Sequence, residues 1–207
     1  MPIVFSRNKG EESVVAVWKI DESEEELSKI IPFTSEMKST LDRFRNASRR
    51  LEWLASRALI YKITGCIPQV EYNESGQPYI PNLNKNISIT HTDGYAAIVV
   101  GNCQTGIDIE RPLERILRVS ERFIHPNEKK YISSEKAIYY NTLIWCAKET
   151  LYKIIAQQGV IFNEELEVLP FSIENEGVLN TEISVGKDTT YQLFYIRCAD
   201  YFLVWHY

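Results

Sequence analysis

Asp108 and Glu110 stand two residues apart in the segment GIDIE, and Glu149 stands in WCAKETLYK, four residues after Trp145 and four before Lys153. Side chains alternate along a strand, so a strand at GIDIE turns both acids to one face and Ile107 and Ile109 to the other, toward a core. Two acids fixed side by side repel each other unless a cation lies between them. On a helix, Trp145, Glu149 and Lys153 share one face, while Ile144, Ala147, Leu151 and Ile155 serve the core. Three oxygen donors with no His or Cys cluster nearby suit a hard cation. Magnesium completes an octahedral shell with waters and substrate phosphates, so such a site predicts a phosphate-bearing ligand. Taken alone, an Asp-x-Glu pair is more often plain surface charge, and Glu149 with Lys153 also reads as an exposed helical ion pair.

Basic and polar groups surround this pattern. His91 ends the run ISITH with Thr90 beside it, a strand end from which an imidazole could donate to a phosphate oxygen. Lys148 and Lys153 add positive charge next to Glu149, and lysine serves phosphates as a mobile point charge. Arg49, Arg50 and Arg57 decorate an earlier helical segment. His125 reads as a loop residue and His206 as a strand residue near the C-terminus.

The elements that must position these residues follow from periodicity. SVVAVWKI at 13–20 is a β-branched strand, and DESEEELSKI carries a helix-start signature. From Ser39 to Ile63, apolar residues recur at threes and fours, which predicts one amphipathic helix closed by Thr64-Gly65. GQPYI, the strand ISITH, a turn at Asp93-Gly94 and the strand YAAIVV follow; Asp-Gly between two such runs signals a hairpin. TGIDIE is then a strand, ERPLERILRVSERF a helix with a basic face, and TLIWCAKETLYKIIAQQG a second amphipathic helix ending at Gly159. YQLFYIR and YFLVWHY form a terminal hairpin across Cys198-Ala199-Asp200. Trp53 to Leu59 can be laid over Trp145 to Leu151 with Trp, Ala and Leu in one register, which puts Arg57 where Glu149 stands. This predicts an α+β fold made by pseudo-two-fold duplication, with subdomains at 1–104 and 105–207 and a ligand cleft between them.

The 207-residue chain is 44% hydrophobic and 25% charged, long enough for a sizeable core, and its net charge of -5 argues against nucleic acid as the main partner. Its four cysteines (Cys66, Cys103, Cys146, Cys198) form no C-x-x-C pair, and their spacing points to buried free thiols in a reducing compartment. The N-terminal stretch MPIVFSRNKG lacks the apolar core of a signal peptide, and the longest apolar run is too short to span a bilayer. A cytoplasmic protein with no membrane partner is expected, and a monomer, since duplication supplies an interface within one chain.

Taken together and in order, GQPYI, ISITH, GIDIE and WCAKETLYK resemble the Sfp-type 4′-phosphopantetheinyl transferases, whose pattern is G-K/R-P, a Ser-His strand end, G-x-D-x-E and W-x-x-K-E-x-x-x-K. ERFIHPNE, lying between the last two, is similar to the family's intervening helix end. The resemblance covers roughly residues 40 to 155 by motif. It implies the α+β fold of that family and transfer of the 4′-phosphopantetheine arm of coenzyme A to a serine of an acyl, peptidyl or polyketide carrier protein, releasing adenosine 3′,5′-bisphosphate. By that resemblance Asp108, Glu110 and Glu149 hold magnesium, with manganese as the alternative. Glu149 acts as or positions the base, Lys153 and His91 stabilise phosphoryl charge, and Arg57, Gln77, Thr90, His91, Lys148 and Lys153 contact substrate. Gln77 replaces the family's basic residue and Thr90 its serine. The carrier surface is expected on Arg111, Arg115, Arg118 and Arg122 or on the segment from Gln157 to Leu169. Two rivals keep the same residues: a coenzyme A or carrier-protein binding homologue without turnover, and a metal-dependent phosphoesterase that uses water.

Overall fold

The computed structural model describes residues 2–81, 83–186, 188–198 and 200–207. They form two compact units, Met1–Thr105 with Tyr207, and Gly106–His206. The chain is an α+β protein, and each unit sets one long helix against an antiparallel sheet.

In the first unit, β1 (Ile3–Lys9) pairs with β2 (Ser13–Lys19), whose Val15, Ala16, Val17 and Trp18 are buried. Helix α1 (Glu24–Ile30) starts at Ser23, which forms a capping box with Glu26. The predicted single helix over 39–63 is two helices, α2 (Ser35–Leu41) and α3 (Ala47–Thr64). The break lies at 42–46 because Asn46 caps α3, its side chain accepting from the Arg49 N–H, while Arg50 donates to the carbonyls of Leu41 and Phe44. Arg50 also pairs with Glu24, so it is a structural arginine rather than a free charge on the helix. Gly65 closes α3 in the left-handed conformation, as its sequence position requires. A short hairpin, β3 (Glu71–Tyr72) and β4 (Pro78–Tyr79), precedes β5 (Asn86–Thr92) and β6 (Tyr95–Gly101), which turn at Asp93-Gly94. The sheet order is β1-β2-β6-β5.

The second unit opens with β7 (Gly106–Glu110), then a 3-10 helix over Glu114–Arg122, helix α4 (Ala137–Ile155), the short α5 (Phe162–Glu165), and β8 (Leu166–Val168), β9 (Glu176–Ile183), β10 (Thr189–Arg197) and β11 (Phe202–His206). Its sheet runs β7-β11-β10-β9-β8. The terminal hairpin is therefore β10–β11, with Ala199 of its turn outside the described residues. Strands β8 and β9 gave no signal strong enough to predict. Helix α4 ends not at Gly159 but at Ala156, which takes a left-handed φ of 51° as its N–H reaches the Tyr152 carbonyl. The basic segment winds as a 3-10 helix with no buried residue and no side-chain cap. The four thiols are free, but only Cys146 is buried; Cys103 is exposed. Among the described residues no helix is long and apolar enough to cross a membrane.

Helix α4 packs on β7 and β11, and Thr150 Oγ1 donates to the Val204 carbonyl at 3.2 Å. The approach is close enough to exclude a side chain at Gly106. A Cβ there would lie 2.4 Å from the Thr150 carbonyl oxygen and 2.8 Å from Ile154 Cγ1. Gly106→Ala should push β7 off α4 and cost about 1–3 kcal/mol, read as a lower thermal midpoint; a variant as stable as the parent would contradict this packing.

Candidate active site

The site grows from that β7–α4 contact. Ile107 and Ile109 face the core and are fully buried, as the alternation requires, while Asp108 and Glu110 take the opposite face. That face is itself largely covered, because α4 lies against β7: Asp108 is buried and Glu110 half-buried. On α4, Ile144, Ala147 and Leu151 are fully buried, and Trp145, Glu149 and Lys153 lie half-buried on another side. The structure thus brings Asp108, Glu110, Glu149 and Lys153 into one region of the second unit.

Lys153 is more than the partner of Glu149 in a plain helical ion pair. Its ammonium reaches β7, donating to Asp108 Oδ1 at 2.9 Å and to the Ile107 carbonyl at 2.7 Å. Glu110 is pushed up to about 7, first by burial and then by the charge of Asp108, with Glu149 adding to the repulsion and Arg115 and Lys153 opposing it. Glu149 is likewise pushed up to about 7, by burial and then by Asp108, against the pull of Lys153. The buried thiol of Cys146 is raised for the same reasons, burial first and the neighbouring acids second. Lys153 and Arg115, whose Nη2 lies 4.0 Å from Glu110 Oε2, offset part of the negative charge here.

Among the described residues no three His, Cys, Asp or Glu side chains stand close enough, as they are, to enclose a metal ion. The acids share a region rather than a closed shell. The donors are all hard oxygens carrying surplus charge, the ligand chemistry magnesium takes alongside waters and substrate phosphates. The residues present fit such an ion.

Lys148 is placed elsewhere than expected. It does not stand beside the acids as a mobile charge for substrate; its side chain is fully buried, and its ammonium donates to the carbonyls of Phe123 and Phe162 and to Glu128. The reason is helical geometry: one step along α4 turns it about 100° from Glu149, into the interior. Glu128, its counterion, closes the segment ERFIHPNE, whose likeness to the family's helix end assigns this glutamate no role. Burial pushes Glu128 up and Lys148 down, and the attraction between them opposes both shifts.

The remaining expected contacts lie in the first unit. Arg57 is buried, packs over the Trp53 ring at 4.4 Å and donates to Ser56 Oγ at 3.0 Å, while its Nε has no acceptor. No carboxylate among the described residues pairs with it. Burial lowers it, Tyr72 pulls it back up, and Arg49 is near enough to lower it further. His91, on β5, packs against Arg49, and its Nδ1 lies 3.1 Å from Glu52 Oε2. Thr90 is buried beside it. Gln77 lies on the β3–β4 hairpin, tied to Asn73 through its N–H at 2.9 Å and its side chain at 3.3 Å. Glu52 and Tyr72 went unnoticed because neither belongs to a spaced motif. Of the other histidines, His125 Nδ1 lies 3.4 Å from Glu167 and His206 Nδ1 2.9 Å from the Gln192 carbonyl; both read as structural.

The raised acids carry a sign that can be checked. Glu110 titrates at about 7 in the folded chain against 4.5 ordinarily, so the folded form holds a proton that the unfolded form has released. Stability is therefore fullest at low pH and falls as pH rises through that window. Without divalent ions, Glu110→Gln should be more stable than the parent by about 1–2 kcal/mol near pH 8, the gain vanishing below about pH 5. Thermal unfolding across pH measures this; a variant less stable at both ends would contradict the repulsion.

Known proteins are similar to this chain. The family model of the 4′-phosphopantetheinyl transferase superfamily matches residues 104–201. The 4′-phosphopantetheinyl transferase gsp of Aneurinibacillus migulanus is 30% identical over 90 residues, 41% of this chain and 37% of that protein. A 4′-phosphopantetheinyl transferase of Bacillus subtilis is 25% identical over 134 residues, 62% of this chain and 58% of its own length. The 4′-phosphopantetheinyl transferase ffp of Bacillus subtilis is 23% identical over 175 residues, 78% of this chain and 76% of its own. The matches thus span less than two thirds of the first two of these proteins. The chain is similar to 4′-phosphopantetheinyl transferases, and the stretch matched by the family model contains Asp108, Glu110, Glu149 and Lys153.

Proposed function

We propose that the chain transfers the 4′-phosphopantetheine arm of coenzyme A to a serine of an apo-carrier protein, releasing adenosine 3′,5′-bisphosphate. The observation that carries this reading is the gathering of three acids and one ammonium where β7 meets α4, with two of the acids held at about 7. Asp108, Glu110 and Glu149 would hold magnesium, with manganese as the alternative. When bound, such an ion supplies charge neutralisation at the phosphates and the leaving group.

The chain's own residues would do the rest. Glu149 as the free carboxylate takes the proton of the carrier serine. The serine oxygen forms the new bond to the β-phosphorus, and the bond from that phosphorus to the oxygen of adenosine bisphosphate breaks. Lys153, anchored by Asp108 and the Ile107 carbonyl, offers its positive charge to a phosphoryl oxygen. In the first unit, Arg57 fits an anion: it is a buried guanidinium with an idle N–H and no carboxylate. We assign it, with His91, Thr90 and Gln77, to the phosphates of coenzyme A.

An acidic carrier would meet the segment from Arg111 to Arg122. Leu113, Leu117 and Val119 stand 44%, 40% and 37% exposed there, among exposed Arg115, Arg118 and Arg122. An apolar strip inside a basic rim suits a partner of opposite charge. Arg111 is tied to Asp200 at 3.1 Å and serves the fold. In the other expected segment, Val160 and Phe162 pack on the core, and of its apolar side chains Ile161 alone is exposed. A cytoplasmic monomer is in keeping with this reading.

Incubation with coenzyme A, magnesium and an apo-carrier should add one phosphopantetheine group to the carrier by mass spectrometry. Asp108→Ala should slow the gain by at least about a hundredfold, and chelation should stop it. Equal modification without divalent metal would contradict the reading. Coenzyme A binding without turnover over several carriers would favour a binding homologue, and phosphopantetheine released to solvent a phosphoesterase.

A further inference from the structure

The buried pair Lys148–Glu128 has no part in the chemistry proposed above, yet it is among the most fully satisfied groups in the second unit. The ammonium has three donors and uses all of them: Phe123 O at 2.6 Å, Glu128 Oε2 at 2.9 Å and Phe162 O at 3.1 Å. Glu128 accepts in turn from the His125 N–H at 2.7 Å and, through its other oxygen, from the Val168 N–H at 2.7 Å. Both side chains are 0% exposed. Charges so placed carry a desolvation cost that an apolar pair would avoid, so they are poorly explained as a source of stability alone.

What they join is specific. Phe123 ends the basic 3-10 segment, Glu128 lies in the next turn, Phe162 begins α5 and Val168 lies in β8. Three of them bond directly to Lys148, the residue of α4 before Glu149, and Val168 joins through Glu128. The 3-10 segment has no buried residue and no side-chain cap; Ile116 packs partly against the core, and Asn163 donates to the Glu121 carbonyl at 3.1 Å. At its end, the Phe123 ring packs edge-on against Trp145, 5.1 Å between centroids, and Trp145 stands one turn before Glu149.

We infer that Glu128 and Lys148 are positioning residues that fix the Leu113–Arg122 docking segment on α4, so that a docked acidic carrier presents its serine in register with Glu149. This rests on the function proposed above. The pair touches no substrate. It acts through the segment it anchors, and so governs productive carrier binding rather than coenzyme A binding.

The test uses Glu128→Gln, which keeps size and removes the charge, and the double variant Glu128→Leu/Lys148→Met should the first not fold. Two readouts are taken. Amide hydrogen exchange should rise in residues 113–131 and 161–168 and stay at the parent level in β9, β10 and β11. The KM for the apo-carrier should rise about tenfold while the KM for coenzyme A stays within about twofold. Exchange that rises throughout the second unit, failure of both variants to fold, or a KM change confined to coenzyme A would each overturn the inference. If the parent protein transfers nothing, the proposed reaction falls, and the exchange pattern still decides whether the pair holds the segment.

Discussion

The second unit depends on a contact that brings too much negative charge together. Helix α4 lies on β7 so closely that only glycine fits at 106, and this closeness places Glu149 against Asp108 and Glu110 in a half-buried setting. Packing holds the acids where electrostatics would part them. Lys153 offsets one charge, through Asp108, and two carboxyls answer by holding protons to about pH 7. A divalent cation is the physical complement of this arrangement, since it would do what those protons do and carry more charge.

Around that contact, the same helix serves two purposes on adjacent residues. Glu149 looks outward to the acids, whereas Lys148 turns inward and ties down the segments that bear the exposed apolar and basic side chains. A strand and a helix, both rigid, carry the reactive groups, and the less regular 3-10 segment is anchored to them. In the first unit an arginine with an idle N–H and a histidine near a second arginine form a separate basic group.

Much of this was legible in the sequence, for definite reasons. The alternation in GIDIE assigned Ile107 and Ile109 to the core and the acids to the other face, and the helical period grouped Trp145, Glu149 and Lys153. Gly65 and the Asp93-Gly94 turn behaved as local rules require. The rest depended on contacts across many residues. Lys148 reads as a surface charge until Phe123, Phe162 and Glu128 are seen around it. The break at 42–46 follows from Asn46 capping one helix while Arg50 satisfies the end of another, which apolar spacing does not register. The end of α4 at Ala156 is similar, because an alanine in a left-handed conformation leaves no mark in composition.

The central claim is that Glu110 and Glu149 hold protons that a bound divalent cation would displace. Isothermal titration of the protein with magnesium at about pH 7, in buffers of different ionisation enthalpy, counts protons released on binding. The account predicts release of about one proton per ion, fading to none by about pH 9 and absent in Glu110→Gln/Glu149→Gln. Binding with no proton release at neutral pH, or no binding, would contradict it.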